Sequence, residues 1–169
     1  MDFALGVLVF VASLASGAPQ RDGSHVRTNN ARLRMEIDEG LARSSLFRQL
    51  VAQLDASDVI VYVETECPMS ARLFGRLRLM AAAGGRRYVN VRISCALNDD
   101  QQIAALGHEL RHAVEIADAA SVIDTASLKD EYQRIGFPSH SVPSGSGFET
   151  RAAIEAAHQV WAELGRTGE

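Results

Sequence analysis

The segment from Asn98 to Ala117 carries the clearest periodicity in the chain. Its apolar residues recur at intervals of three and four positions, which is the spacing of one face of an α-helix. They are Ile103, Leu106, Leu110, Val114 and Ala117. Asn98 or Asp99 can cap the start of this helix, because their side-chain oxygens accept hydrogen bonds from the first free backbone amides. The pattern therefore predicts a long helix with one face buried in a core.

Three β-strands are predicted upstream of this helix. Residues 59–63 form a β-branched run, which is typical of a strand buried on both faces. Residues 73–79 and 88–93 alternate apolar and polar side chains, which is the period of a strand. Gly84 and Gly85 separate these two segments as a turn. The simplest arrangement of the three strands is an antiparallel meander.

Helical spacing recurs on both sides of the predicted strands. The segments are residues 33–54, 126–135 and 148–164. Gly40 is expected to divide the first segment, and Ser44 is expected to cap its second part. Residues 33–164 are therefore predicted to form one α+β domain, in which a small antiparallel sheet of about three strands packs on the long helix and on further helices.

The first residues are typical of an export signal. Residues 3–14 are apolar and uncharged, and small residues follow at positions 15–18. Because this run is short for a transmembrane helix, we predict a signal peptide over residues 1–18. The mature protein is expected in the periplasm or outside the cell, with no stable membrane insertion after the signal peptide is removed. Residues 19–32 are expected to form a flexible leader, and residues 165–169 a polar tail.

Composition narrows the classes of protein further. The chain has 169 residues, a net charge of −4 and a hydrophobic fraction of 47%, which is typical of one globular domain. The chain is mildly acidic and lacks a dense basic run, so no nucleic-acid partner is expected. Cys67 and Cys95 are compatible with one disulfide in an oxidising compartment, or equally with two partly buried free thiols.

The long helix carries the motif His108-Glu109-Leu110-Arg111-His112, which has the form HExxH. Residues four apart on a helix project from the same face, so both imidazoles can bind one zinc ion. Glu109 lies beside them, where it can take a proton from activated water as a general base. The two histidines point away from the apolar stripe, as expected for a helix that lines a cleft. Coincidence on a surface helix is the alternative, because short motifs also arise by chance.

Catalytic zinc is usually held by three protein ligands, and three carboxylates are candidates for the third. Asp118 lies six residues after His112, but no glycine breaks the helix there, so its side chain is expected to point away. Glu115 lies on the correct face but two turns beyond the first histidine, which suits a hydrogen bond to a ligand better than coordination. Glu149, expected on the first turn of the last helix, is favoured. Its competing role is to close a capping box that begins at Ser146.

An HExxH helix followed by a glutamate on a later helix resembles the gluzincin branch of the zincin-like metallopeptidases. The order of helix, antiparallel strands, HExxH helix and Glu-bearing helix looks like a minimal zincin domain over about residues 44–164. The stretches SDVIVYVE, GHELRHAVEIAD and GFETRAA also resemble small exported bacterial proteins with this motif. Only HExxH is a specific signature among these features.

The resemblance implies a zinc ion bound by His108, His112 and Glu149, with Glu109 as the general base. The chain departs from the family at Ala153, where many gluzincins carry an aspartate. That aspartate would support a zinc-bound histidine, so alanine at this position counts against such support and against full activity.

The expected function is that of a zinc-dependent metallopeptidase, which hydrolyses peptide bonds of a peptide or protein substrate with activated water. The alternative is a non-catalytic exported domain that binds zinc or is purely structural, with a vestigial or chance HExxH. Only the enzyme requires Glu109. Tyr132 is a candidate for stabilising an oxyanion, but its helical spacing with Leu128 and Ile135 favours core packing.

Overall fold

The computed structural model describes residues 23–70, 73–139 and 147–166. The α+β class predicted from the sequence is confirmed. In chain order the elements are β1 (Val26–Arg27), α1 (Ala31–Arg43), α2 (Ser45–Asp55), β2 (Val59–Glu66), β3 (Gly75–Ala83), β4 (Arg86–Ser94), α3 (Asp99–Asp118), α4 (Thr125–Ile135), β5 (Phe137–Pro138), β6 (Phe148–Glu149) and α5 (Arg151–Arg166). Within the described ranges, none of these helices combines the length and apolar character that a membrane crossing requires. The predicted signal peptide lies outside the described residues.

The main sheet is mixed, and its strand order is β1-β2-β4-β3. β2 runs parallel to β4, with Val61 opposite Val89, whereas β3 pairs antiparallel with β4 after the turn at Gly84 and Gly85. The predicted antiparallel meander is therefore wrong, although its three strands exist. β2 and β4 carry almost continuous buried runs and can lie side by side in the centre, while the exposed residues of β3 suit an edge.

Residues 23–32 do not form the flexible leader that the sequence predicted. Val26–Arg27 pairs in parallel with β2, and the backbone amide of Val61 donates to the carbonyl of His25 at 2.8 Å. Asn30 then caps α1 with its side-chain oxygen. The polar composition of this segment does not predict a strand. The segment pairs with the open edge of β2 through its backbone groups rather than through apolar side chains.

The break between the first two helices falls at Ser44 rather than at Gly40. Ser44 caps α2 as predicted, since its hydroxyl accepts a hydrogen bond from the Phe47 amide at 3.0 Å. Gly40 lies inside α1, where a Cβ would stand 3.0 Å from Cγ2 of Ile103. The glycine therefore allows α1 to pack closely against α3 rather than ending the helix.

α3 is the central helix of the domain, because it packs against α1, α2, α5 and the sheet. Its apolar stripe is buried as predicted, with Ile103 and Leu110 completely inaccessible. Asn98 caps its start and forms a capping box with Gln101. Gly107 lets α5 approach, since a Cβ there would stand 2.9 Å from Cγ2 of Val160. The HExxH segment is thus held rigidly in the middle of the molecule.

Candidate metal centre

Three side chains of metal-ligand type converge at one side of α3. His108 and His112 lie one turn apart on this helix, and Glu149 comes from β6. The Oε1 atom of Glu149 lies 3.1 Å from Nε2 of His108 and 3.2 Å from Nε2 of His112. The three ligand atoms lie within 4.8 Å of one another. The structure therefore brings together the three residues that the sequence favoured as ligands.

This donor set fits a zinc ion. Ligand atoms at the usual zinc distances and tetrahedral angles lie roughly 3.3 Å apart, and the two nitrogen–oxygen separations around Glu149 are close to this value. Two imidazole nitrogens and one carboxylate oxygen also form a typical catalytic set, which leaves a fourth position open. The cluster faces a cleft of about 1070 Å³, which leaves room for a further ligand.

The electrostatics of the cluster favour a bound cation. Burial lowers the pKa of His112, but hydrogen bonds with Glu115 and Glu149 outweigh burial and raise it to about 9. Burial raises the pKa of Glu149, but its hydrogen bonds with His108 and His112 outweigh this effect and lower it to about 2. Carboxylates therefore stabilise positive charge at this point, whether a proton or a metal ion carries it.

Glu115 holds the ring of His112 in place. Nδ1 of His112 donates to Oε2 of Glu115 at 2.8 Å, and the hydroxyl of Thr150 donates to Oε1 at 2.8 Å. All three residues are buried. Because the Nδ1 proton is engaged in this way, Nε2 is the nitrogen directed to the cluster. Glu115 thus supports a histidine, a role that Ala153 cannot fill, and it is not a member of the three-residue cluster.

Asp118, the other alternative ligand, lies away from the cluster. It is the exposed last residue of α3 and lines a separate groove on the polar side of the helix. The helix runs on to Asp118 without a break, as the absence of a glycine at position 115 predicts. This alternative is therefore wrong in the described structure.

Glu149 reaches the cluster from a strand rather than from the expected helix. Phe148–Glu149 pairs with Phe137–Pro138, and α5 begins only at Arg151. The cap of α5 is Thr150, whose Oγ1 accepts from the Ala153 amide at 3.1 Å. The predicted capping role of Glu149 is therefore wrong, and Ser146 lies outside the described residues. α5 also includes the first two residues of the predicted tail.

Glu109 lies under the edge strand of the sheet and lines the cleft. Its side chain is buried, and burial raises its pKa, although the neighbouring His108 and His112 oppose this shift. β3 passes so close that a Cβ on Gly75 would stand 2.7 Å from Oε1 of Glu109. Sequence reasoning missed Gly75, because the contact joins two segments that are distant in the chain.

Tyr132 packs beside the cluster, as its helical spacing suggested. Its hydroxyl donates to the backbone carbonyl of His112 at 3.4 Å, and its ring meets the His112 ring edge-on at a centroid distance of 5.4 Å. The ring also stacks on Phe148, with centroids 6.5 Å apart. Tyr132 therefore links α4, α3 and β6 around the three candidate ligands.

Cys67 and Cys95 are joined in a disulfide, with their Cα atoms 5.7 Å apart. Cys67 follows β2 directly, and Cys95 follows β4 directly. Because these two strands are parallel neighbours, both cysteines lie at the same end of the sheet. Of the two states that the sequence allowed, a disulfide or two free thiols, the structure has the disulfide.

Comparison with known proteins gives no relative from which a function could be transferred. No protein-family model, no curated protein and no solved structure matches this chain. The function is therefore inferred from the geometry of the metal centre and its cleft.

Proposed function

We propose that the protein is an exported, zinc-dependent metallopeptidase. The observation that carries this proposal is the convergence of two histidine nitrogens and a carboxylate oxygen beside the buried carboxylate of Glu109, in one cleft. His108, His112 and Glu149 would hold the ion. When bound there, zinc would supply Lewis acidity that polarises the substrate carbonyl and activates water.

Glu109 is the proposed general base. Its carboxylate faces the cleft next to the cluster, and burial raises its pKa, which favours proton uptake during the reaction. It would accept the proton of the attacking water and pass it to the leaving amine. Tyr132 lines the same cleft, but its hydroxyl already donates to His112, so it would have to turn away to stabilise an oxyanion.

The edge strand of the sheet supports a peptide or protein as the substrate. β3 pairs with β4 along one edge. Residues 73–77, which comprise the start of β3 and the two residues before it, line the cleft. A peptide in extended conformation can add to such an edge through backbone hydrogen bonds. This arrangement would carry the scissile carbonyl past Glu109 and the metal ligands.

Export is supported by two features of the chain. Residues 3–14 have the composition of a signal peptide. The disulfide between Cys67 and Cys95 is typical of proteins that fold in an oxidising compartment. The proposed location is therefore the periplasm or the extracellular space.

Metal analysis of matched variants tests the proposal. We expect one zinc per chain in the wild type and in Glu109→Gln, and loss of zinc in His112→Ala and Glu149→Ala. Peptidase activity should fall by about 10²–10⁴-fold in Glu109→Gln, because that variant keeps the metal but lacks the base. Glu155→Gln, an exposed substitution on α5, should keep both zinc and activity. A folded, zinc-replete wild type that binds no metal would overturn the proposal.

The alternative function is a non-catalytic domain in which the cluster is an ion-pair network. One observation favours it, since the two imidazoles and the carboxylates of Glu115 and Glu149 already satisfy one another through hydrogen bonds. If the wild type and Glu109→Gln bind zinc equally and the wild type hydrolyses no peptide, the protein is a metal-binding domain. Absence of both would identify a structural one.

A further inference from the structure

Two large aromatic side chains on the walls of the cleft are exposed to solvent. Phe74 is 61% exposed and Trp161 is 49% exposed, and both line the cleft that contains His108. Trp161 lies on α5 three residues before the buried Leu164, yet it is exposed to solvent. Exposed aromatic residues in a concave site are typical of a binding surface rather than of a core.

Small side chains of α3 and α5 line the same cleft. On α3, Ala104 and Ala105 line the cleft one helical turn before His108. α5 contributes Ala157, one turn before Trp161. α3 and α5 pack closely where Gly107 meets Val160, and the short side chains of these alanines leave space in the cleft beside that contact.

Several residues that line the cleft on this side are apolar, and Gln101 and His158 are the polar residues beside them on α3 and α5. The apolar residues are Phe74, Leu97, Ala104, Ala157 and Trp161. A charged side chain placed here would lose hydration without gaining an ionic partner from these residues. A large apolar side chain would instead bury its surface against them, with a gain that grows with its area.

We infer that this region, the Phe74–Trp161 subsite, binds an aromatic or large aliphatic side chain of the peptide substrate. Ala104 and Ala105 lie one helical turn before His108 on α3, so the selected residue would bind close to the bond that is cleaved. This inference deepens the proposed peptidase function and rests on it. It makes the protein selective for apolar sequences rather than for charged ones.

Fluorescence gives a direct test, because Trp161 is the single tryptophan of the chain. The probes are blocked tetra-alanine peptides with one central residue replaced by Phe, Leu, Asp or Lys, at either of the two central positions. Zinc-loaded Glu109→Gln protein is used, so that binding is measured without turnover. We expect the Phe and Leu peptides to shift the Trp161 emission and to bind at least about tenfold more tightly than the Asp and Lys peptides.

Variants locate the effect in the subsite. Phe74→Ala should weaken binding of the Phe peptide several-fold and narrow its advantage over the Asp peptide. Met80→Ala is the control, because Met80 is 64% exposed on β3, the strand that directly follows Phe74, but lies outside the cleft lining. Met80→Ala should leave the preference unchanged. Equal effects of the two substitutions would overturn the assignment to Phe74.

The outcomes separate the subsite from the chemistry. Equal binding of apolar and charged peptides, or no emission change with any peptide at millimolar concentration, would overturn the subsite. Selective binding of apolar peptides that the wild type never cleaves would uphold the subsite and overturn the peptidase function. Cleavage by the wild type without preference for apolar residues would overturn the subsite alone.

Discussion

Arg87 and Asp58 form a bidentate ion pair where the sheet meets the end of α3. Nε and Nη2 of Arg87 lie 2.7 and 2.6 Å from the two carboxylate oxygens of Asp58. The same guanidinium donates to the carbonyls of Ala117, at 3.1 Å, and Ala119, at 2.7 Å. These acceptors lie at the end of the helix, where no further helical amide follows. The pair therefore fixes α3, the helix that carries His108 and His112, to the sheet.

Arg87→Lys should destabilise the protein, because lysine cannot reproduce the planar fork that bonds Asp58 and the helix end together. Arg87 is 5% exposed, so the lost bonds leave buried acceptors unpaired. We expect the free energy of unfolding in urea to fall by about 2–4 kcal/mol. The exposed neighbour Arg86 provides the control. Arg86→Lys should change the free energy of unfolding by less than about 0.5 kcal/mol. Similar losses in both variants would contradict the role of Arg87.

Glu115→Gln should weaken zinc binding by about 10–100-fold, because the carboxylate orients His112 and increases the basicity of its ring. Competition with a chelator measures the affinity. Asp118→Asn removes a carboxylate at the exposed end of the same helix and should have little effect. The interpretation fails if both substitutions weaken binding alike.

Thr150 should act on the metal site through Glu115. Thr150→Val removes the hydroxyl that bonds Glu115 and caps α5, whereas Thr150→Ser retains it. We expect Thr150→Val to weaken zinc binding in the same chelator assay and Thr150→Ser to restore it close to the wild-type value. Weak binding in the serine variant as well would indicate that the methyl group, rather than the hydroxyl, matters.

Gly75→Ala should impair turnover without removing zinc. The new Cβ would stand 2.7 Å from Oε1 and 3.0 Å from Cγ of Glu109, so the proposed base must move. We expect kcat to fall at least about tenfold, since small displacements of a catalytic group are costly, while zinc content stays at the wild-type value. At Gly165 no atom lies within 4 Å of an added Cβ, and Gly165→Ala should leave kcat unchanged. Wild-type kcat in Gly75→Ala would show that Glu109 is not the base.

Glu163 should stabilise the fold in a pH-dependent way. Burial raises the pKa of Glu163, but hydrogen bonds from Ser44, Gln159, the Leu46 amide and Ser45 outweigh it and lower the pKa to about 2. The folded state therefore binds this proton less readily than the unfolded chain does. The stabilisation is complete above the ordinary pKa of 4.5 and is lost as the pH falls towards 2.

Glu163→Gln tests this linkage. After allowance for solvent screening of this half-buried group, we expect it to cost about 1–2 kcal/mol of unfolding free energy at pH 7, and progressively less between pH 4.5 and 2. Denaturant titrations at several pH values measure the difference. Glu155→Gln, exposed on the same helix, should show no such dependence. A deficit that does not shrink in acid would rule out the charge of Glu163 as its cause.

The parts of the site that could be predicted are those encoded within one helix. His108 and His112 share a face because they are four residues apart, and the apolar stripe around Leu110 fixes which face is buried. Capping by Ser44 and Asn98 was equally local, because each side chain bonds an amide three residues further on.

The parts that could not be predicted depend on long-range pairing. Nothing near Gly75 in the sequence indicates that its strand crosses over Glu109. Helical spacing placed Glu149 on α5, but pairing with Phe137 draws it into a strand instead. Tertiary contacts override the local pattern in both cases, because the periodicity of apolar residues does not predict backbone hydrogen bonds between distant segments.

The position of β3 has a consequence for how this protein could diversify. β2 and β4, the strands before and after β3 in the sequence, pair directly with each other. β3 is therefore an edge strand, and the centre of the sheet forms without it. Its first three residues and the two residues before them line the cleft. The sequence of this strand could therefore change, and the wall of the cleft with it, while the helix that carries the histidines keeps its contacts with α1, α2, α5, β2 and β4.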